Sequence, residues 1–261
     1  MLIVTRQGFM QAIQKAAIAG FYYHVSGTLP LEKLPGFVKK MQRQYQVNPP
    51  RHKVYYEKKQ GRASVRLFCY GDPAHLTGSR VLWVMMVNEG EHPIYEHESL
   101  QDCRLKSSRL GYDIFELVQK PALKGKPSGW TWRIKPPEMP VCRFQMQVFI
   151  RDKNEKLTEM VARHYSAMPG FSGVRAQKKK LIQFWHSELK RVGWQGRYPI
   201  RNMYLRQVPV EHVIYLEAFV KRAQADRLSV VKALKYYRVG LRSRKRKKRR
   251  AAQKNQKKAL T

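Results

Sequence analysis

The sequence predicts an α+β protein, and three observations carry that prediction. Up to about residue 150, short runs of alternating apolar and polar residues are interleaved with helical periods. After Arg151 the apolar period lengthens from two to nearly four. The last 21 residues hold eleven Lys or Arg and no acid. We therefore expect an α+β domain with a mixed or antiparallel sheet over 1–150. A mainly helical domain over 151–238 and a disordered Lys/Arg-rich tail over 239–261 should follow.

Taken in order, Thr5 is placed to cap a first helix carrying Ile13, Ala16 and Ala17. FYYHVSGT (21–28) alternates Phe21, Tyr23 and Val25 against Tyr22, His24 and Ser26. Leu34, Val38, Met41 and Tyr45 recur at helical spacing and predict a second helix, with Lys39, Lys40 and Arg43 off its apolar stripe. HKVYYEK (52–58) and RASVRLFCY (62–70) read as a hairpin turning at Lys59-Gln60-Gly61. VLWVMMV (81–87) is apolar throughout, as a central strand buried on both faces would be. GWTWRIK (129–135) sends Trp130, Trp132 and Ile134 inward and Thr131, Arg133 and Lys135 outward. VCRFQMQVFI (141–150) sets Cys142, Phe144, Met146, Val148 and Ile150 against Arg143, Gln145 and Gln147.

Beyond Arg151, Leu157, Met160, Val161 and Tyr165 mark a helix closed by Met168-Pro169-Gly170. A second runs from about Val174 to Val192, with Leu181, Trp185, Leu189 and Val192 inward and Gly193 as its stop. A third should begin at Pro209 and carry Val213, Leu216, Val220 and Ala223.

Charge selects the function class. The 261 residues hold 52 Lys and Arg against 18 Asp and Glu, a formal net charge of +34. The tail accounts for eleven of those cations, which leaves +23 on the other 240 residues. A body this basic repels itself and calls for an anionic partner. Composition is otherwise ordinary for a globular chain, with 43% hydrophobic residues, so the whole is not a disordered polymer. Three cysteines, Cys69, Cys103 and Cys142, lie far apart without a CxxC pair. That argues against a disulfide framework and a cysteine zinc site. The first residues lack the pattern of a signal peptide, and no apolar run approaches membrane-spanning length. The expectation is a cytoplasmic protein without a membrane partner, nucleoid-associated in a bacterium or nuclear in a eukaryote.

Within that class the tail cations Arg242, Arg244, Lys245, Arg246, Lys247, Lys248, Arg249 and Arg250 suit an arm that binds phosphates by counterion release. A localisation address or a solubility tail has the same composition. Arg175, Lys179, Gln183, His186 and Lys190 form a polar stripe on the helix 174–192, and Lys178 and Lys180 add charge to its first half. Such a row can track a phosphate backbone or enter a major groove. The following stretch, 189–209, is free of acids and interleaves Arg197 and Arg201 with Trp194, Tyr198 and Tyr204, aromatics suited to stacking on bases or to packing under a loop. An outer sheet face bearing Arg66, Arg133, Lys135 and Arg143, joined by Tyr22, His24 and Tyr55, would be a further binding surface unless a second layer covers it.

Two catalytic alternatives remain. NEGEHPIYEHESLQD (88–102) concentrates acids and imidazoles, and Glu89, Glu91, His92 and His97 offer donors for Mg²⁺ or Mn²⁺ in a nuclease. An acidic loop docked on basic surface explains the same window without a metal. His24 is the candidate general base for metal-free RNA cleavage, against the commoner structural histidine on a strand. No Walker A, GxGxxG, GxSxG or EF-hand pattern occurs, which removes ATPase, dehydrogenase, esterase and calcium-sensor readings. The expected function is nucleic-acid binding without a cofactor, alone or with other proteins of a nucleoprotein complex. This organisation suits plasmid or mobile-element replication and transfer proteins and ribonucleoprotein components. The helices from 174 and from Pro209 would make a helix-turn-helix-like pair, although their separation exceeds the usual short turn. That pairing tilts the expectation toward DNA over RNA.

Overall fold

The computed structural model describes residues 2–3, 5–71, 80–121, 129–194, 200–201 and 213–214. Strand β1 (Leu2–Ile3) leads into helix α1 (Arg6–Ile18), and the Thr5 side chain accepts the Gly8 N–H at 3.2 Å as the expected cap. Strand β2 (Phe21–Pro30), helix α2 (Leu34–Tyr45), helix α3 (Arg51–Lys59) and strands β3 (Val65–Tyr70) and β4 (Arg80–Asn88) follow. A short helix α4 (Ile94–His97) and strands β5 (Gln101–Asp102), β6 (Gly111–Tyr112), β7 (Phe115–Gln119) and β8 (Trp130–Ile134) come next. Helices α5 (Glu138–Arg151), α6 (Glu155–Ser166) and α7 (Ser172–Arg191) then precede strand β9 (Val213–Ile214). The class is α+β.

One sheet has the order β5-β2-β4-β3-β1-β9 and the other β6-β7-β8; all pairings are antiparallel except β1 with β3. β4 is central, flanked by β2 and β3, as its continuous apolar run requires. One face of the larger sheet packs with α2 through Leu34, Met41, Tyr45, Val65, Leu67 and Met85. The other joins a core that includes Phe9 and Ile13 of α1, Trp132 of β8, Met146 of α5, Tyr165 of α6 and Trp185 of α7. This cluster takes residues from both sides of residue 151.

The structure corrects several expectations. A β-bulge between Phe21 and Tyr23 shifts the β2 register, so Phe21 packs on the α1 side while Tyr23 and Val25 pack on the α2 side. Residues 52–58 are not a strand but most of α3. Residues 141–150 belong to helix α5, which buries Cys142, Met146 and Ile150 and exposes Phe144 and Val148. Met160, expected on the apolar stripe of α6, is exposed, and Thr158 and Ala162 are buried instead. Thr131 is buried as well. Its hydroxyl oxygen accepts the Gly173 N–H at 3.0 Å at the start of α7, where a Cβ on Gly173 would stand 2.6 Å from the Trp132 carbonyl oxygen. Glycine thus lets α7 seat directly on β8. Val213, expected on a helix, sits in β9 paired with Ile3.

The remainder of the helix expected from Pro209, together with Arg197, Tyr198, Tyr204 and the tail cations Arg242 through Arg250, lies outside the described residues. The three cysteines are free and buried. Among the described residues no helix is long and apolar enough to cross a membrane.

Candidate nucleic-acid interface

α7 is twenty residues long, about 30 Å at 1.5 Å per residue. Val174, Lys178, Leu181, Trp185, Glu188 and Leu189 form its buried face. Lys179, Lys180, Gln183, His186 and Lys190 are exposed on the other side. From Lys179 to Lys190 the row covers about 16 Å of helix. Neither lysine of the Lys179-Lys180 pair, nor Lys190, makes an ion pair among the described residues. Glu188, the one acid in α7, is occupied: its carboxylate meets Arg151 Nε at 3.3 Å and Arg191 Nη2 at 3.5 Å. Arg175 is half-buried and donates to the Gly170 carbonyl at 2.8 Å, so it anchors the first turn of α7.

Lys178 does not belong to the surface row. Its side chain is 1% exposed, and its ammonium donates to the Ser166 carbonyl at 3.1 Å. Desolvation pulls its pKa from 10.5 down to about 8. The same Ser166 accepts the Arg201 backbone N–H on its hydroxyl at 2.9 Å, beside buried Ile200, while Arg201 itself is exposed. Trp194 packs against the apolar core rather than standing free for a base.

The sheet-face cations are occupied by the protein itself. Arg66 lies 4.3 Å over the Phe21 ring, Arg133 pairs with Glu116 at 2.6 Å, and Lys135 donates to the Asp113 carbonyl at 2.6 Å. Arg143 sits on α5 against Phe184, Tyr22 stacks on Trp130, and Tyr55 belongs to α3. No continuous basic platform forms on the sheet from these groups.

The acidic window folds into a network around Arg104. This guanidinium meets Glu89 and Asp102, each at 2.8 Å, and covers the Tyr22 ring at 4.6 Å. Burial pushes the Asp102 carboxyl up, but the Arg104 hydrogen bonds outweigh it and hold the group below its ordinary range. Glu98 accepts the Tyr45 hydroxyl at 2.9 Å; burial, then this carboxylate, push that phenol up to about 12. His92 Nδ1 accepts the Ile94 N–H at 3.2 Å, and burial lowers its pKa. Glu91 and His97 are exposed. A backbone clip sets the position of the window: Ala63 N–H donates to Glu91, Glu91 N–H donates to Gly61, and Gly90 adopts φ +134° where a Cβ would strike the Gly61 carbonyl. Glu89, Glu91, His92 and His97 do not converge, and among the described residues no three His, Cys, Asp or Glu side chains are grouped to hold a metal ion. Two acids of the window, Glu89 and Asp102, dock intramolecularly on Arg104.

His24 lies buried in β2, where Nε2 faces the Ser108 carbonyl at 2.9 Å. That contact puts the ring proton on Nε2. Its buried Nδ1 has no hydrogen-bond partner among the described residues, and desolvation lowers the pKa. The ring is neutral and closed to a polymeric substrate.

Sequence reasoning missed a surface that the structure makes conspicuous. α3 buries none of its residues, and it presents Arg51, His52, Lys58 and Lys59 together with Tyr55 and Tyr56. Lys33, Lys39, Lys40 and Arg43 are exposed on and beside α2. The available signal was Pro49-Pro50, a helix start in front of a Lys- and Glu-containing segment. No protein-family model, curated protein or solved structure matches this chain.

Proposed function

We propose that this protein binds nucleic acid, chiefly through phosphate contacts, as part of a plasmid or mobile-element replication or transfer system or of a ribonucleoprotein complex. One observation carries the reading: Lys179, Lys180, His186 and Lys190 stand exposed along one helix face while its single acid is consumed by two arginines. The tail cations add a second, sequence-independent attraction. Binding of this kind raises affinity and on-rate on any nucleic acid and fixes no base sequence. The DNA preference rested on a helix pair that β9 interrupts at Val213, so the reading covers both DNA and RNA. No cofactor is required, partner proteins would join on the nucleic acid, and the working compartment is the cytoplasm or nucleoid, or a nucleus. A nuclease reading draws no support from the dispersed donors of the acidic window or from buried His24.

The test is a fluorescence-anisotropy titration of the full chain with labelled duplex and single-stranded 20-mers between 50 and 200 mM salt. Binding to both should weaken linearly in log–log form. No binding at 50 mM salt would overturn the proposal.

A further inference from the structure

We infer that α3 is a stacking platform for unpaired bases, and that single-stranded nucleic acid is the preferred form of the ligand at this surface. The inference rests on the nucleic-acid reading above and specifies it. Tyr55 and Tyr56 are 58% and 61% exposed on a helix that contributes no buried residue, so neither ring is held there by the core. The two rings meet edge to face with centroids 5.9 Å apart, and neither hydroxyl has a partner among the described residues. Neighbours on a helix surface are those three and four positions away. For Tyr55 these are Arg51, His52, Lys58 and Lys59, and for Tyr56 they are His52, Lys53, Lys59 and Gln60. These are six residues, of which Arg51, Lys53, Lys58 and Lys59 are cations, His52 is an imidazole and Gln60 is a neutral amide.

Lys59 lies over the Tyr55 ring, with Nζ 4.9 Å from the centroid, so a base stacking on that face displaces this mobile ammonium toward the strand's phosphates. The only acid of α3, Glu57, is turned to Arg62 at 3.9 Å, so it does not oppose an anion at the tyrosines. Exposed aromatic faces ringed by cations suit a strand whose bases are unpaired, because a duplex hides base faces inside its stack. The charge complementarity of this patch selects a polyanion, and its rings select one with free aromatic faces.

The experiment compares the full chain with Tyr55→Ala/Tyr56→Ala and Tyr55→Phe/Tyr56→Phe on three labelled probes: a dT12 strand, a 12-mer of abasic sites with the same phosphates, and a 12-base-pair duplex. Because both tyrosine side chains are more than half exposed, the double alanine variant should melt with the wild type. It should bind dT12 at least fivefold more weakly, the lower end of one base–aromatic stack. Abasic and duplex binding should stay within twofold. The phenylalanine variant should match wild type on all three, since the ring faces and not the hydroxyls bind. Equal losses on dT12 and abasic strand, or no loss on either, would overturn the inference while leaving phosphate binding intact. Failure of the wild type on every probe would overturn both readings.

Discussion

Replacing Lys178 with Met should stabilise the protein at neutral pH, although it deletes a hydrogen bond. Lys178 lies in the core beside Val174, Leu181 and Trp185 on α7, and among the described residues its ammonium has one hydrogen-bond partner, the neutral Ser166 carbonyl. A folded pKa of about 8 against 10.5 for an ordinary lysine corresponds to about 3 kcal/mol of disfavour for the charged form. Met keeps most of the volume and removes the buried charge. Losing the contact to Ser166 returns about 1 kcal/mol of the gain, so the variant should be about 1–3 kcal/mol more stable at pH 7. The pH dependence is the sharper readout. Between pH 8 and 10.5 the unfolded chain holds a proton at Lys178 that the folded chain has released, so wild-type stability rises with pH through this window. Urea unfolding of both proteins from pH 7 to 10.5 should show the variant's advantage shrinking by about 2–3 kcal/mol. An advantage that stays constant or grows would refute the placement of this ammonium in the core.

Arg104→Ala should destabilise the fold by about 1–2 kcal/mol, because Glu89 and Asp102 lose their shared cation and Tyr22 loses its cover; an unchanged melting temperature would remove the network from the account. The His24 ring, followed by NMR, should titrate below the ordinary 6.5, and stability contributed by keeping it neutral should be lost as pH falls below 6.5. A midpoint at or above 6.5 would contradict its burial.

α1 with its Thr5 cap, the α2 stripe of Leu34, Met41 and Tyr45, and central β4 followed from spacing alone. α5 was misread because periods of two and nearly four share every fourth position. Cys142, Met146 and Ile150 satisfy both patterns, and only Phe144 and Val148, exposed on the helix, distinguish them. The register of β2 turned on a bulge that leaves no mark in a simple alternation. At the site, the α7 row was readable because Lys179, Gln183, His186 and Lys190 keep the helical period. Lys178 betrays itself by the same rule. It stands four residues after Val174, three before Leu181 and seven before Trp185, on the apolar stripe, and charge counting hid that placement. α3 was missed because its face is defined by what does not cover it, and sequence carries little information about cover.

The most direct test of phosphate contact along α7 is the salt dependence of duplex DNA binding for the full chain and for Lys179→Ala/Lys180→Ala/Lys190→Ala. Each phosphate contact contributes about 0.9 to the slope of log affinity against log salt on B-form DNA, so the triple variant should lose between 2 and 3 from that slope, by order of magnitude. All three side chains are exposed, and thermal stability should be preserved. An unchanged slope, with the variant binding as the wild type does at every salt concentration, would mean that the exposed face of α7 does not touch nucleic acid.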